Sequence, residues 1–223
     1  MTALTAAPAR AARATRPSCR RPVTASAQPT QRRTLLLTTG LTVLLGAGPA
    51  LASPLNVGDV APEFALPSTT GGVLSLESLK QAGKWTVAYF YNQDFSPGCS
   101  LEAARFQNAL PAFAAVNAQV VGISMDTLEK HTEAAAKPAS DCASKSLTFP
   151  LLSDGTGAVS KAYDAFLDLN FLGKYSDRQT FLVDPKGVVR AKWSERDGSM
   201  ASVKSPAHTE QVLAAIKAAQ EAV

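Results

Sequence analysis

Two nearly continuous apolar runs constrain this chain most. Lys84–Tyr91, "KWTVAYFY", and Ala118–Asp126, "AQVVGISMD", show too little alternation for strands with one wet face. Such runs are strands buried on both sides, and both sides of a sheet are covered only when helices pack on each. Between them "SLEAARFQNAL" has helical spacing, so the pair reads as strand, helix, strand.

The remaining segments extend that pattern. "LNVGDVAPEFALPSTTGGVLSLESL" reads as an extended stretch and a hairpin, with "STTGG" supplying the turn. Thr127–Lys137 is a predicted helix, "KPASDCASKSLT" a polar loop, "FPLLSD" a short strand and "GAVSKAYDAF" a short helix. "RQTFLVDPKGVVRAKWS" is a hairpin turning at Asp184-Pro185-Lys186-Gly187. "SPAHTEQVLAAIKAAQ" closes the chain as an amphipathic helix, capped by Ser205 with Pro206 at its first position. Strands and helices alternate first and a hairpin comes late. The expected fold is α/β, a central mixed β-sheet flanked by helices on both faces.

The charge belongs to one end. Residues 1–52 hold seven arginines, no lysine and no acid, so the formal +4 of the whole chain becomes −3 for residues 53–223. No nucleic-acid surface is implied. Residues 1–31, rich in Ala, Thr, Ser and Arg, have the composition of an organelle transit peptide. Residues 32–52, "RRTLLLTTGLTVLLGAGPALA", place a twin arginine before an apolar stretch ending in Ala50-Leu51-Ala52, the pattern of a Tat or Sec export signal. The bipartite leader predicts import into a chloroplast and then crossing into the thylakoid lumen. A single uncleaved anchor is the competing reading, but Gly40, Gly46, Gly48 and Pro49 thin the apolar run. Cleavage leaves residues 53–223 as one domain with no stable membrane insertion, and with Cys99 and Cys142 as its cysteines.

Cys99 stands where a strand gives way to a helix. A thiol is a weak nucleophile until ionised, and the unpaired N–H groups and partial positive charge of a helix N-terminus favour the thiolate. Pro97-Gly98 bends the chain into that helix, and Ser96 can direct its hydroxyl at the sulfur or at a substrate oxygen. The residues alone leave two readings, a reactive thiolate or a small buried core residue.

The stretches "VGDVAPEFALPSTTGGVLSLESL", "VAYFYNQDFSPGCSLEAARF", "VVGISMDTLEKH", "FPLLSD" and "RQTFLVDPKGVV" resemble, in order and spacing, the peroxiredoxins, and among them the peroxiredoxin Q or bacterioferritin-comigratory type. The likeness spans nearly all of Leu55–Ala219. It implies a thioredoxin-like fold and a peroxidase that reduces hydrogen peroxide and organic hydroperoxides, recharged by thioredoxin or a similar dithiol protein, without metal or other cofactor. By matching motif Cys99 is the peroxidatic cysteine, Ser96 stands for the family's Thr/Ser, Arg178 holds the thiolate and the peroxide, and Glu102 orients Arg178. A monomer or weak dimer is expected.

The chain departs from that family in two places. Asn92 replaces the proline that opens the motif, and Ala104 stands where many members carry a resolving cysteine. Cys142, in its polar loop, is then the candidate resolving cysteine, unless an outside thiol attacks Cys99 directly. A second class of function also follows from these losses: a non-catalytic lumenal binding or assembly protein with a permanent Cys99–Cys142 disulfide. A disulfide oxidoreductase is disfavoured by the lack of Cys-x-x-Cys. His131 and His208 lie far apart on helices with no ligand cluster, so no metal site is expected and both are assigned to the surface. Of Tyr89, Phe90, Tyr91 and Phe95, only Phe95 is assigned to the mouth of a pocket.

Overall fold

The structure is a computed structural model and describes residues 54–137 and 146–222. The leader assigned to residues 1–52 and the candidate resolving Cys142 lie outside the described residues.

The predicted buried runs form the centre. β3 (Trp85–Phe90) and β4 (Ala118–Ser124) are parallel neighbours, β5 (Leu151–Ser153) extends the sheet beyond β4, and β8 (Gln179–Val183) and β9 (Val189–Ser194) add antiparallel on the other side. The order is β5-β4-β3-β8-β9. Every residue of β3 is buried, as its sequence requires. The two faces separate by parity. Ala88 and Phe90 pack with Leu76 and Leu79 of α1 (Leu76–Gln81), with Val159 of α4 (Ala158–Ala162) and with Tyr163, its C-cap. Val87 and Tyr89 pack with Phe106 and Phe113 of α2 (Pro97–Ala115) and Val212 and Ile216 of α5 (Ala207–Glu221). Full burial of a side chain of this size is worth about 1.5–3 kcal/mol, so both layers are held by apolar packing. Among the described residues no helix is long and apolar enough to cross a membrane.

One row across the sheet prepares the site. Leu151, Gly122, Tyr89, Thr180 and Trp193 are paired in register from edge to edge. A Cβ on Gly122 would come within 2.7 Å of the Tyr89 hydroxyl, so glycine there gives the phenol its room.

Several elements differ from the reading of the sequence. α2 begins at Pro97 and runs through Pro111 to Ala115. Pro111 removes one backbone donor, but Phe106 and Phe113 on either side are fully buried and hold the helix on the sheet. Past the expected first hairpin, β1 (Ala65–Pro67) with β2 (Val73–Ser75), Ser75 caps the short α1 by accepting from the Ser78 N–H, a cap-and-acid signal visible in "SLES". β6 (Phe166–Asp168) and β7 (Lys174–Ser176) form an additional hairpin before Arg178. α5 starts one residue later than expected, with Pro206 as its N-cap, although Ser205 Oγ still accepts from the Ala207 N–H. α3 (Leu128–Ala136), capped by Thr127, is as predicted.

The surface assignment of both histidines is corrected. His131 and His208 are fully buried. His208 lies on the α5 stripe with Val212 and Ile216, a spacing of four that points to the core, and Nε2 meets Thr180 Oγ1 at 2.9 Å. Burial pushes its imidazole down, toward the neutral form. His131 shares the Leu128 and Ala135 side of α3 and is fully hydrogen-bonded.

Candidate active site

The first turn of α2 sits at the carboxyl end of β3, where the chain leaves the sheet. Ser96 is the N-cap, Pro97 takes the first helical position, and Cys99 falls in the first turn with a free, buried thiol. Ser96 Oγ accepts from the Cys99 N–H at 3.3 Å, so its hydroxyl oxygen fixes the helix start rather than meeting the sulfur as a primary partner. The Ser100 N–H goes to Ser96 O, whereas the Gly98 N–H has no partner among the described residues.

Arg178, just ahead of β8, reaches the sulfur from the opposite side. Its Nη2 donates to Cys99 Sγ at 3.3 Å, Nη1 to Glu102, and Nε to Glu195 Oε2 at 2.9 Å. The three arms of one guanidinium are thus divided between two carboxylates and one thiol. Gly98 makes the approach possible, since a Cβ there would stand 3.3 Å from Nη2. Burial works against the charge on Arg178, but Glu102, Cys99 and Glu195 outweigh it and raise its pKa further. The structure therefore brings Ser96, Cys99, Glu102 and Arg178 together, as the sequence pattern placed them. The position of the missing resolving cysteine, Ala104, is fully buried in α2.

Glu102 has a cost built in. It is 1 % exposed, and its Oε1 has no hydrogen-bond partner among the described residues. Burial lifts its carboxyl from an ordinary 4.5 to about 7, with Arg178 pulling the other way. A carboxyl raised on folding supports stability below its unfolded value and loses that support as pH climbs through the folded one. Wild type is expected to lose up to about 3 kcal/mol from this group between pH 5 and pH 8. Glu102→Gln, which copies the protonated acid, flattens that slope in urea denaturation at the two pH values. Equal slopes in the two proteins would show that Glu102 does not carry the change.

A cavity of about 280 Å³ opens beside Cys99. Tyr89, Tyr91, Ala103, Leu147 and Leu151 give it an apolar lining, and Asp94, Phe95 and Lys137 stand on its other walls. Phe95 is 43 % exposed at the mouth, as expected. Tyr89 and Tyr91, assigned to the core alone, both fill core and line the cavity. Burial holds the Tyr89 phenol well above its ordinary range, so it stays protonated.

The parts of Glu195, Asp94 and His131 were missed by sequence reasoning. For Glu195 the obstacle is register. Counting back from Asp184–Gly187 sets Arg178 opposite Trp193, but an irregularity at Leu182/Val183 shifts the pairing, and the Glu195 N–H donates to Arg178 O. Asp94 and His131 lie in stretches that were read, but their contacts join residues 37 apart and leave no local signal.

The AhpC/TSA family profile matches residues 57–192. The chain belongs to the AhpC/TSA family. It is 35 % identical over 161 residues to Peroxiredoxin Bcp of Xanthomonas campestris pv. campestris, covering 71 % of this chain and 92 % of that one. It is 33 % identical over 168 residues to the chloroplastic Peroxiredoxin Q of Oryza sativa subsp. japonica, covering 75 % of this chain and 70 % of the relative. The crystal structure of Peroxidoxin BcpB from Mycobacterium tuberculosis superposes with a TM-score of 0.62 at 31 % identity, over 74 % of this chain and 97 % of that one. The fold is the thioredoxin-like fold of the peroxiredoxins, with its mixed sheet between helices.

Proposed function

We propose that Cys99 is the peroxidatic residue of a thiol-dependent peroxidase, and that Arg178 and Ser96 build its site. The observation that carries this reading is the guanidinium donating to a free thiol at a helix N-terminus, at the edge of a cavity. The Cys99 thiolate attacks the distal oxygen of a hydroperoxide. An S–O bond forms as the O–O bond breaks, and the sulfur becomes a sulfenic acid. The leaving oxygen takes a proton and departs as water or an alcohol. Arg178 and the open Gly98 N–H supply donors where negative charge develops on the departing oxygen. A dithiol then attacks the sulfenic sulfur, releasing water, and a second thiol restores Cys99 while the donor leaves as a disulfide.

The donor is a thioredoxin-like protein, and the assembly a monomer or weak dimer. The leader of residues 1–52 and the naming of the rice relative as chloroplastic support a chloroplast location, and the twin-arginine segment supports the thylakoid lumen within it. The scaffold reading, with a permanent Cys99–Cys142 disulfide, is not favoured, because the relatives are peroxiredoxins and Arg178 donates to the Cys99 sulfur at the edge of a cavity.

The test is peroxide-dependent oxidation of a reduced thioredoxin by wild type and Cys142→Ser. Wild type should turn over. Loss of thioredoxin turnover in Cys142→Ser, with turnover kept on a small monothiol, assigns Cys142 as the resolving residue. Full thioredoxin turnover in the variant assigns the one-cysteine route. A wild type that oxidises no thiol in the presence of peroxide would contradict the peroxidase reading.

A further inference from the structure

A buried polar cluster beside the cavity has no part in the chemistry above. Asp94, 6 % exposed, accepts from the Tyr91 hydroxyl at 2.9 Å on Oδ1 and meets His131 Nδ1 at 2.7 Å on Oδ2. His131 Nε2 faces Leu152 O at 3.2 Å. Both imidazole nitrogens have partners, Nδ1 also lying 3.1 Å from the Tyr91 hydroxyl, so no polar atom of the ring is left over. The Asp94 N–H donates to Asp126 Oδ2 at 2.6 Å. The Asp94 side chain thus ties the loop after β3 to α3, His131 carries the tie on to β5, and the Asp94 backbone N–H adds one to the turn after β4.

That loop and α3 are facing walls of the cavity. Asp94 and Phe95 come from the loop, Ala134 from α3 and Lys137 from its end. Phe95 holds φ +62°, a conformation that a bulky aromatic adopts only when its surroundings impose it. Its neighbour Asp94 supplies that restraint from inside, and Lys137 Nζ lies 4.6 Å from the Phe95 ring centroid outside. A buried, hydrogen-bonded acid–imidazole pair is costly to break on one side only, so the wall is stiff.

We propose that Asp94 and His131, with the Tyr91 hydroxyl, are positioning residues that fix the loop wall and thereby admit and orient the organic part of a bulky hydroperoxide. Hydrogen peroxide needs only the sulfur and its donors, Arg178 and the helix N-terminus. An alkyl or aryl hydroperoxide must also pack its carbon part against Tyr91, Phe95, Leu147 and Leu151. A loosened wall therefore penalises the bulky substrate more. The inference rests on the peroxidase reading.

The test compares second-order rate constants for cumene hydroperoxide and hydrogen peroxide, each normalised to titrated Cys99 thiol, in wild type, Asp94→Asn and Tyr91→Phe. Misplacing a reactant by a small fraction of its size costs one to two orders of magnitude, so the ratio of bulky to small is expected to fall about tenfold in Asp94→Asn. Tyr91→Phe keeps the ring and removes one hydroxyl, and its ratio is expected to fall about two- to threefold. Parallel losses on both substrates, the mark of a merely structural role, leave the ratio unchanged and overturn the proposal, as does a ratio that rises. If Asp94→Asn does not fold, Tyr91→Phe decides alone by the same criterion. A wild type that reduces neither peroxide defeats the peroxidase reading and this inference with it, whereas an unchanged ratio on an active enzyme defeats only the inference.

Discussion

Cys99→Ser is expected to abolish peroxide reduction, lowering turnover with any thiol donor by at least about 10³-fold, the scale seen when an essential nucleophile is removed. The exchange is close to isosteric at a site 3 % exposed, so the fold survives it. A serine hydroxyl does not ionise at working pH, and its oxygen has no oxidation step corresponding to thiol to sulfenic acid. The measurement is peroxide consumption coupled to a reduced thioredoxin, with circular dichroism to confirm folding. Activity in the variant within tenfold of wild type would remove Cys99 from the chemistry.

Arg178→Ala is expected to be nearly as damaging, for two separable reasons. The substitution removes the donor 3.3 Å from Sγ, and losing one such preorganised donor costs about 10²–10³ in rate. It also strands Glu102, 1 % exposed, without its cation, and breaking one side of a buried pair costs about 3–5 kcal/mol. Arg178→Lys restores the charge but not the fork, since one ammonium cannot serve Glu102, Glu195 and the sulfur at once. The lysine variant should therefore recover stability more than rate. Stability comes from chemical denaturation and rate from single-turnover oxidation of the Cys99 thiol. Wild-type oxidation rates in a folded Arg178→Ala protein would show that the guanidinium is a bystander.

The centre of the fold was legible because it depends on burial. Both faces of β3 and β4 are covered, so their sequences carry the signal without alternation. The Ser96–Cys99 corner was legible because capping, proline at the first helical position and a turn glycine are local chemistry. Arg178 and Glu102 stand 76 residues apart, and only resemblance to a family joined them before the structure did. What failed was whatever depends on register or on partners distant in sequence. Glu195 reaches Arg178 only through a strand irregularity near the far end of the hairpin. His131 was assigned to the surface because no cluster of ligand residues accompanies it, and nothing local announces that Asp94, 37 residues earlier, would receive it.

The account rests on Cys99 being the sulfur that peroxide oxidises. Peptide mapping by mass spectrometry after exposure to excess hydrogen peroxide, without a reducing thiol, tests this most directly. The account predicts that the peptide carrying Cys99 is oxidised before any other, through sulfenic acid to the two-oxygen sulfinic acid or to a disulfide with Cys142, and that Arg178→Ala slows the step. A Cys99 peptide that stays reduced while the peroxide disappears, or while Cys142 alone takes up oxygen, would contradict it.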